Sequence, residues 1–208
     1  MNEYLEKLNK KLSKISVEKL EVYAKENNVP IIQYESLMVL KSIIQTSKVK
    51  KILEIGTAIA YSSINMASFD SDIKIDTIER NEKMYHEAVK NVKLYDLEKQ
   101  IRIHFDDALL IDLDKLDKEY DLIFIDAAKA QSEKFFNRFL PLLKEDGIIV
   151  TDNLLFHGCV ENQEGLSKNV KNLVKKIDAY NNYLTNLEGF TTIFLDTGDG
   201  LAITVRDK

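Results

Sequence analysis

Three oxygen-bearing side chains follow two apolar segments of the sequence. Asp126 ends the segment YDLIFID, and Asp152 and Asn153 end the segment GIIVTDN. Each segment has the length of a buried strand, and the carboxyl ends of parallel strands meet at one edge of a sheet. Two carboxylates and an amide oxygen suit Mg²⁺, Ca²⁺ or Mn²⁺ and leave coordination positions for water and substrate. The pattern predicts a site for a hard divalent cation, although Asp126 alone could equally be a helix N-cap.

A second candidate site surrounds Gly56. Gly56 follows the apolar segment KILEI, and Glu79 ends the next one. A glycine at a strand-to-helix turn lets a ligand approach the backbone, and an acid at the end of the second strand can accept both ribose hydroxyls. The pair is typical of an adenosine site, with an ordinary tight turn as the alternative. An NAD site would also need glycine in place of Ala58 and Tyr61, so an NAD-dependent oxidoreductase is disfavoured.

The elements that must position both sites alternate along the chain. From Lys51 onward, helical patterns separate the apolar segments KILEIG, IKIDTIE, IRIHFDD, YDLIFID and GIIVTDN. This alternation predicts right-handed crossovers and a Rossmann-like, doubly wound α/β fold. FTTIFLDT and GLAITVR are separated only by Gly198-Asp199-Gly200, which cannot house a crossover helix. We therefore expect a mostly parallel seven-stranded sheet with an antiparallel C-terminal hairpin.

The first 48 residues have a helical pattern instead. Apolar side chains recur at three- and four-residue spacing: Leu5, Leu8, Leu12 and Ile15. Asn27-Asn28-Val29-Pro30 interrupts the pattern. We expect an N-terminal helical cover (1–48) that packs over the sheet edge or forms a homodimer contact. No linker rich in proline or glycine separates it from a Rossmann-like core (49–208), so a single domain over 1–208 is predicted.

Composition restricts the class of protein. The one cysteine, Cys159, cannot form an intrachain disulfide, and no signal-type apolar core occurs at the amino terminus. No apolar run approaches the roughly 18 residues of a membrane span, so we expect a cytoplasmic protein without a membrane partner. The three histidines show no paired ligand spacing, which argues against a structural zinc site.

The net charge of −5 is unevenly distributed. Lysines outnumber acids in residues 1–51, whereas acids outnumber lysines in residues 106–121. Such asymmetry could orient a polyanion on one face, and two solvated helix faces are the simpler interpretation.

A set of motifs resembles a known family. EIGTAIAYS, TIER, DDA, FIDAAK, TDN and GDGLAI occur in the order found in cation-dependent class I S-adenosylmethionine (SAM) O-methyltransferases, the family of the catechol and caffeoyl-CoA enzymes. The resemblance covers nearly the whole chain and implies SAM and Mg²⁺, or another hard divalent cation, as cofactors. The segments VPII, DNLLFHG and LVKKIDAYNNYL are most similar to bacterial methyltransferases of tRNA 5-hydroxyuridine. This implies a tRNA anticodon as partner and 5-methoxyuridine at the wobble position as product.

The resemblance also implies which residues bind SAM. The set runs from the methionine end through the ribose to the adenine, with one residue from the cover and one at the border with the metal: Glu54, Gly56, Ser62, Glu79, Asp107, Ala108, Ile32 and Asp126. Within it, Ser62 would hold the methionine carboxylate and Glu79 the ribose. Ala60 departs from the glycine usual in the family, and because a methyl group is small we expect SAM binding to be retained.

By the same resemblance, Asp126, Asp152 and Asn153 are the metal ligands and Lys129 is the catalytic base. Lys129 follows Asp126 by three residues and would lie at the start of the next helix. A lysine that is partly desolvated near a cation can take a hydroxyl proton, whereas a surface lysine is the common alternative.

Metal chelation alone does not separate the substrates. A catechol has two vicinal oxygens, and 5-hydroxyuridine offers its 5-hydroxyl beside the 4-carbonyl. Two groups of lysines favour RNA, since they could hold phosphates: Lys7, Lys10, Lys11 and Lys14, and Lys168, Lys171, Lys175 and Lys176. A small catechol-like substrate is the alternative. A non-catalytic nucleotide-binding module is disfavoured by the intact metal ligands and Lys129.

Overall fold

The computed structural model describes residues 4, 7, 8, 15–127 and 129–208 of the chain. Seven strands form one sheet: β1 (Lys51–Ile55), β2 (Lys74–Glu79), β3 (Ile101–Phe105), β4 (Tyr120–Ile125), β5 (Leu143–Asp152), β6 (Phe190–Leu195) and β7 (Leu201–Arg206). Their order across the sheet is β3-β2-β1-β4-β5-β7-β6. The first five strands are parallel, and β7 runs antiparallel to both β5 and β6. The predicted mostly parallel sheet with an antiparallel hairpin is confirmed.

Helices cover both faces of this sheet. They are α1 (Glu18–Asn27), α2 (Tyr34–Thr46), α3 (Tyr61–Ser68), α4 (Glu82–Leu94), α5 (Ser132–Phe139) and α6 (Lys168–Thr185). Short 3₁₀ helices are formed by Leu113–Lys115, Lys129–Gln131 and Leu140–Leu142. One apolar cluster joins α1 and α2 to the sheet through Leu20 and Leu40, and the other joins α5 and α6 through Phe136 and Tyr180. The helices therefore bury the apolar side chains of both sheet faces.

The centre of the sheet shows why its strands are continuous apolar runs in the sequence. In β4, Leu122, Ile123 and Phe124 are all fully buried although successive side chains point to opposite faces. Both faces of a parallel strand are covered by helices, so no polar alternation is needed.

Strand β5 begins earlier than the sequence indicates. The apolar run starts at Gly147, whereas β5 starts at Leu143, which pairs with Tyr120 of β4. The register then shifts before Leu122 pairs with Ile148. The intervening residues include Lys144, whose ammonium pairs with Asp121. The segment gives no apolar strand pattern because Lys144 is paired with Asp121 and the next two residues, Glu145 and Asp146, are exposed.

The N-terminal helical cover is tied to the core by two tyrosines. Tyr61 donates to Glu21 Oε1 of α1 at 2.9 Å, and Tyr95 donates to the Ser16 carbonyl at 3.0 Å. Of the predicted apolar stripe, Leu8 is 45% exposed and Ile15 packs against the core. Other predicted residues of this region lie outside the described part of the chain: Leu5, Lys10, Leu12, Lys11 and Lys14. In the described ranges, no helix has the length and apolarity needed to cross a bilayer.

A turn of the C-terminal hairpin also touches the cover. A side chain at Gly198 would place its Cβ 2.3 Å from Ser36 Oγ, and Gly198 has a φ of +62°. Ser36 donates to the Thr197 carbonyl at 3.4 Å. The start of α2 and the hairpin turn are thus packed too closely for any residue larger than glycine.

A buried ionic cluster on β2 lies outside the candidate sites. Asp76 is 4% exposed and accepts from Arg102 Nη2 at 2.8 Å and from Tyr120 OH at 2.6 Å. His104 Nε2 lies 2.8 Å from its other oxygen. Burial opposes ionisation, but the hydrogen bonds from His104, Arg102 and Tyr120 outweigh it and hold the pKa of Asp76 below its usual range.

Because the pKa of Asp76 is lowered in the folded protein, its carboxylate stabilises the fold at neutral pH and this stabilisation is lost in acid. The ionised carboxylate stabilises the fold fully above its unfolded pKa of about 3.9, and this contribution is lost as the pH falls toward the lowered folded pKa. We expect Asp76→Asn to lower the free energy of unfolding by about 3 kcal/mol at neutral pH. The deficit should shrink between pH 5 and pH 3, as measured by urea denaturation at each pH. The exposed Asp72→Asn serves as the control, and a deficit for Asp76→Asn that is the same at every pH would contradict the assignment.

Candidate active site

A cavity of about 480 Å³ opens at the carboxyl edge of the sheet. Its lining contains all but one of the residues predicted to act in the site: Ile32, Gly56, Ser62, Glu79, Asp107, Ala108, Asp126, Lys129, Asp152 and Asn153. The volume lies within the range of small-molecule and cofactor sites. The predicted adenosine site and the predicted metal site therefore belong to one cavity.

Gly56 joins the two halves of this cavity through the backbone. Its φ is +104°, and a Cβ at this position would lie 2.1 Å from the Asp126 carbonyl oxygen. The Asp126 amide in turn donates to the Ile55 carbonyl at 2.9 Å, and the Gly56 amide donates to the Ile78 carbonyl at 3.1 Å. Only glycine meets both the positive φ and the close approach.

Glu54 is the predicted residue that does not line the cavity. It is fully buried behind the Gly56 turn and accepts hydrogen bonds from the hydroxyls of Ser62, Ser63 and Thr77. Burial nevertheless raises the pKa of Glu54 to about 7. Because Ser62 donates its hydroxyl proton to Glu54, it would have to turn away from Glu54 to hold a ligand carboxylate as predicted.

Two acids lie at the end of the cavity where the sequence predicts an adenosine site. Glu79 accepts from the backbone amides of Ala58 at 2.8 Å and Asn81 at 2.7 Å, so its carboxylate is fixed at the end of β2. Asp107 accepts from the Leu109 amide at 2.8 Å. A carboxylate has several acceptor positions, and those left over at Glu79 suit the two hydroxyls of a ribose.

At the other end, a chain of hydrogen bonds connects the predicted metal ligands to Lys129. Asn153 Nδ2 donates to Asp126 Oδ1 at 2.9 Å, and the backbone N–H of Asn153 donates to Asp152 Oδ1 at 2.7 Å. Lys129 Nζ donates to Asn153 Oδ1 at 2.8 Å and lies 3.4 Å from Asp199 Oδ2. The sequence predictions for Asp126, Lys129, Asp152 and Asn153 thus concern side chains that the structure brings together.

The electrostatics of this cluster fit a hard cation. Burial raises the pKa of Asp152, and repulsion from Asp126 raises it further. Burial also raises the pKa of Asp126, although the charge of Lys129 opposes this. Negative charge is therefore concentrated at a site where one ammonium compensates it only in part. Carboxylate and amide oxygens are the donors that Mg²⁺, Mn²⁺ or Ca²⁺ prefers, so the residue types fit the predicted ion. The side-chain oxygen of Asn153 would have to turn from Lys129 toward the ion to join the two carboxylates.

Sequence reasoning missed the residues that position Lys129. The sequence predicts Asp199 as part of a Gly-Asp-Gly turn and, through the resemblance alone, as part of the rim of the site, with no role toward Lys129. In the structure Asp199 is 5% exposed, pairs with Lys129 and accepts from the His157 amide. The Phe156 ring centroid lies 5.0 Å from Lys129 Nζ, close enough for a cation–π contact. The available signal was an acid in a turn at the carboxyl edge of the sheet, where ligands of such folds bind.

The cofactor loop adopts a left-handed conformation without glycine. Ala58 has a φ of +46° and Ala60 a φ of +65°, and Ala60 is fully buried at the start of α3. For a residue with a Cβ, this conformation costs roughly 1–2 kcal/mol. The rest of the loop holds Ala60 in this conformation, in part through the hydrogen bond that the Ala60 amide donates to the Thr57 carbonyl at 2.8 Å.

Comparison with known proteins decides the family. The model of the O-methyltransferase family matches residues 2–207. The chain belongs to the O-methyltransferase family. A caffeoyl-CoA O-methyltransferase from Stellaria longipes is 29% identical over 175 residues, which cover 80% of this chain and 72% of that protein. A catechol O-methyltransferase from Niastella koreensis is 34% identical over 126 residues, covering 58% of this chain and 57% of that protein.

Solved structures of the O-methyltransferase family share the fold. A protein from Staphylococcus aureus assigned as a caffeoyl-CoA O-methyltransferase is 46% identical, covers 98% of both chains and superposes with a TM-score of 0.93. The O-methyltransferase TomG from Streptomyces achromogenes, solved in complex with SAM, is 23% identical, with a TM-score of 0.78 and coverage of 95% of this chain and 92% of that one. The second likeness supports the fold.

The backbone strain at Ala60 can be tested by replacing this alanine with glycine. Ala60→Gly removes a buried methyl but relieves the left-handed strain, whereas Ala67→Gly removes a buried methyl from helix α3 and relieves nothing. We expect Ala67→Gly to lower the free energy of unfolding by about 1 kcal/mol more than Ala60→Gly does. Urea denaturation of both variants measures the difference. Equal losses would mean that the loop carries no strain at Ala60.

Proposed function

We propose that this O-methyltransferase uses SAM and Mg²⁺, or another hard divalent cation, to methylate 5-hydroxyuridine at the wobble position of tRNA. The observation that carries the proposal is the single cavity that Gly56 and Glu79 line at one end and Asp126 and Lys129 at the other. A methyl donor and an oxygen acceptor must meet at van der Waals distance, and one cavity with two differently built ends suits that requirement.

The donor end has the groups that SAM needs. Gly56 permits the methionine portion to approach the backbone, and the carboxylate of Glu79 accepts from the ribose hydroxyls. Asp107 and Ala108 border the adenine, and the buried Ile32 closes the cavity from the N-terminal helical cover. The carboxylates at the opposite end favour a cationic sulfonium between the two halves.

At the acceptor end, Asp126, Asp152 and Asn153 would hold the cation. When bound, such an ion favours the ionised form of a hydroxyl and fixes two adjacent substrate oxygens. Lys129 Nζ, held by Asn153 and Asp199, is the group placed to receive the hydroxyl proton, and it does so from its neutral form, after giving up its own proton to solvent. The substrate oxygen then forms a bond to the methyl carbon as the carbon–sulfur bond breaks, leaving S-adenosylhomocysteine.

The choice of RNA rests on separate observations. The segments VPII, DNLLFHG and LVKKIDAYNNYL resemble enzymes that act on tRNA 5-hydroxyuridine, and exposed lysines occur on α6. A base can leave a single-stranded loop and enter a cavity while lysines hold its phosphates. A small catechol-like substrate is the second candidate, because relatives carry the names caffeoyl-CoA and catechol O-methyltransferase.

One assay separates these candidates. The protein is incubated with methyl-labelled SAM and Mg²⁺, together with either tRNA containing 5-hydroxyuridine or a panel of catechols, and the label is located. We expect label on tRNA, dependent on the 5-hydroxyl and abolished by a metal chelator. Label on catechols but never on tRNA would refute the RNA substrate and favour the second candidate.

The role of Lys129 gives a separate prediction. Lys129→Ala should lower kcat by roughly 10²–10⁴-fold, the usual contribution of a general base. The dissociation constant for SAM should change little, since the donor end of the cavity is unaltered. Lys134→Ala, which removes an exposed lysine from α5, is the matched control and should keep both values. Isothermal titration and steady-state kinetics measure the two effects, and unchanged kcat in Lys129→Ala would exclude Lys129 as the base.

A further inference from the structure

Helix α6 extends beyond the carboxyl edge of the sheet. Near its end, Tyr180 OH shares a hydrogen bond of 2.9 Å with Thr151 Oγ1, and Asn181 donates to the Leu154 carbonyl at 3.1 Å. Both partners lie where β5 ends, so the helix is level with the carboxyl edge of the sheet at this point. With a rise of 1.5 Å per residue, Lys168 lies about 18 Å further along the helix axis. The first three turns of α6 therefore stand above the edge at which the cavity opens.

This overhanging part of α6 carries a lysine surface, formed by Lys168, Lys171, Lys175 and Lys176. All four residues are exposed, whereas the opposite side of the helix is buried through Val174 and Ile177. Within the described part of the chain, none of the four ammonium groups has an ion-pair or hydrogen-bond partner. The positive charge of this surface is thus available to a partner.

The position of the lysines is unfavourable for the helix itself. The amino end of a helix carries a partial positive charge, so acids stabilise the first turn and lysines destabilise it. The first turn of α6 has no acid, and it contains Lys168 and Lys171; Ser167 caps it by accepting from the Val170 amide at 3.4 Å. Residues that oppose the stability of their own element are expected where function requires them.

The lysine surface lies beside the cavity and has the opposite charge. Helix α6 packs against the 3₁₀ helix Lys129–Gln131, and the loop that precedes α6 contributes His157 to the cavity lining. The lining itself has only two side chains of fixed positive charge, Arg80 and Lys129, against six carboxylates: Glu79, Asp106, Asp107, Asp126, Asp152 and Asp199. A neutral base can enter such a cavity, whereas the phosphates that flank it are repelled and must be held outside.

We propose that the lysine surface of α6 binds the phosphates of the RNA that flank the base in the cavity. This inference rests on the proposed function and adds the surface that would hold the substrate. The lysines are spread over nine residues of helix, about 12 Å from first to last, which exceeds the length of a single diphosphate and suits successive phosphates of one strand. Contacts of this kind position an RNA without reading its sequence.

The test uses a charge reversal that should weaken RNA binding without weakening the fold. In the double variant Lys168→Glu/Lys171→Glu, acids replace lysines in the first turn of α6. The melting temperature of this variant should therefore equal or exceed that of the unmodified protein. The probe is an RNA hairpin of anticodon stem-loop sequence with an unmodified uridine, so binding is measured without methyl transfer. At 0.1 M salt the dissociation constant should rise about tenfold, and the slope of log affinity against log salt should become shallower by about 1.4.

The matched control is Lys83→Glu/Lys93→Glu on α4. This helix connects β2 and β3 at the far edge of the sheet, its two lysines are exposed, and the change in net charge is the same. We expect hairpin affinity within about twofold of the unmodified protein and an unchanged salt slope. An effect as large as that of the α6 variant would mean that overall charge, not the lysine surface, governs binding.

The possible results separate the inference from the proposed function. If the α6 variant binds the hairpin as the α4 control does, the lysine surface is excluded even where the unmodified protein methylates 5-hydroxyuridine in tRNA. If the α6 variant loses the hairpin but no 5-hydroxyuridine substrate is ever methylated, the surface stands and the assigned reaction is wrong. A higher KM for a CoA thioester with unchanged hairpin affinity would assign the lysines to a small phosphorylated substrate and overturn the RNA partner.

Discussion

The close approach of Gly56 to the Asp126 carbonyl is the constraint on which the site depends. It sets the separation between the turn after β1 and the turn after β4, two adjacent strands of the sheet. Gly56 lies in the first turn and Asp126 in the second, while the neighbouring strands β2 and β5 bring Glu79 and Asp152 to the same edge. Because the contact is made by backbone atoms, it depends on the side chain at only one position, Gly56, where no Cβ can be accommodated.

Much of this arrangement could be predicted from the sequence, and the reasons are specific. Parallel strands deliver the residues at their carboxyl ends to one edge, so Glu79, Asp126 and Asp152 could be placed together from apolar runs alone. The role of Asp199 could not, because its partner Lys129 is 70 residues away in sequence and only the hairpin brings them together. The start of β5 could not be predicted either, since its charged residues lie at a local register shift and show no periodic apolar pattern.

The interior of the cavity and the lysine surface of α6 beside it carry opposite charge. Carboxylates in the interior favour cations, and one of them, Asp199, pairs with Lys129. Their concentration is unfavourable in the folded state, since burial and mutual repulsion raise the pKa of Asp152. The same concentration makes the cavity selective, because a negatively charged group gains nothing by entering unless a cation accompanies it.

The hairpin turn at Gly198 connects the N-terminal helical cover to the cavity. Its backbone is packed against Ser36 at the start of the cover helix, and its next residue, Asp199, pairs with Lys129. The cover also supplies Ile32 to the wall at the donor end. Ser36 of the cover and Lys129 of the cavity are thus joined through a single turn, because Asp199 directly follows Gly198.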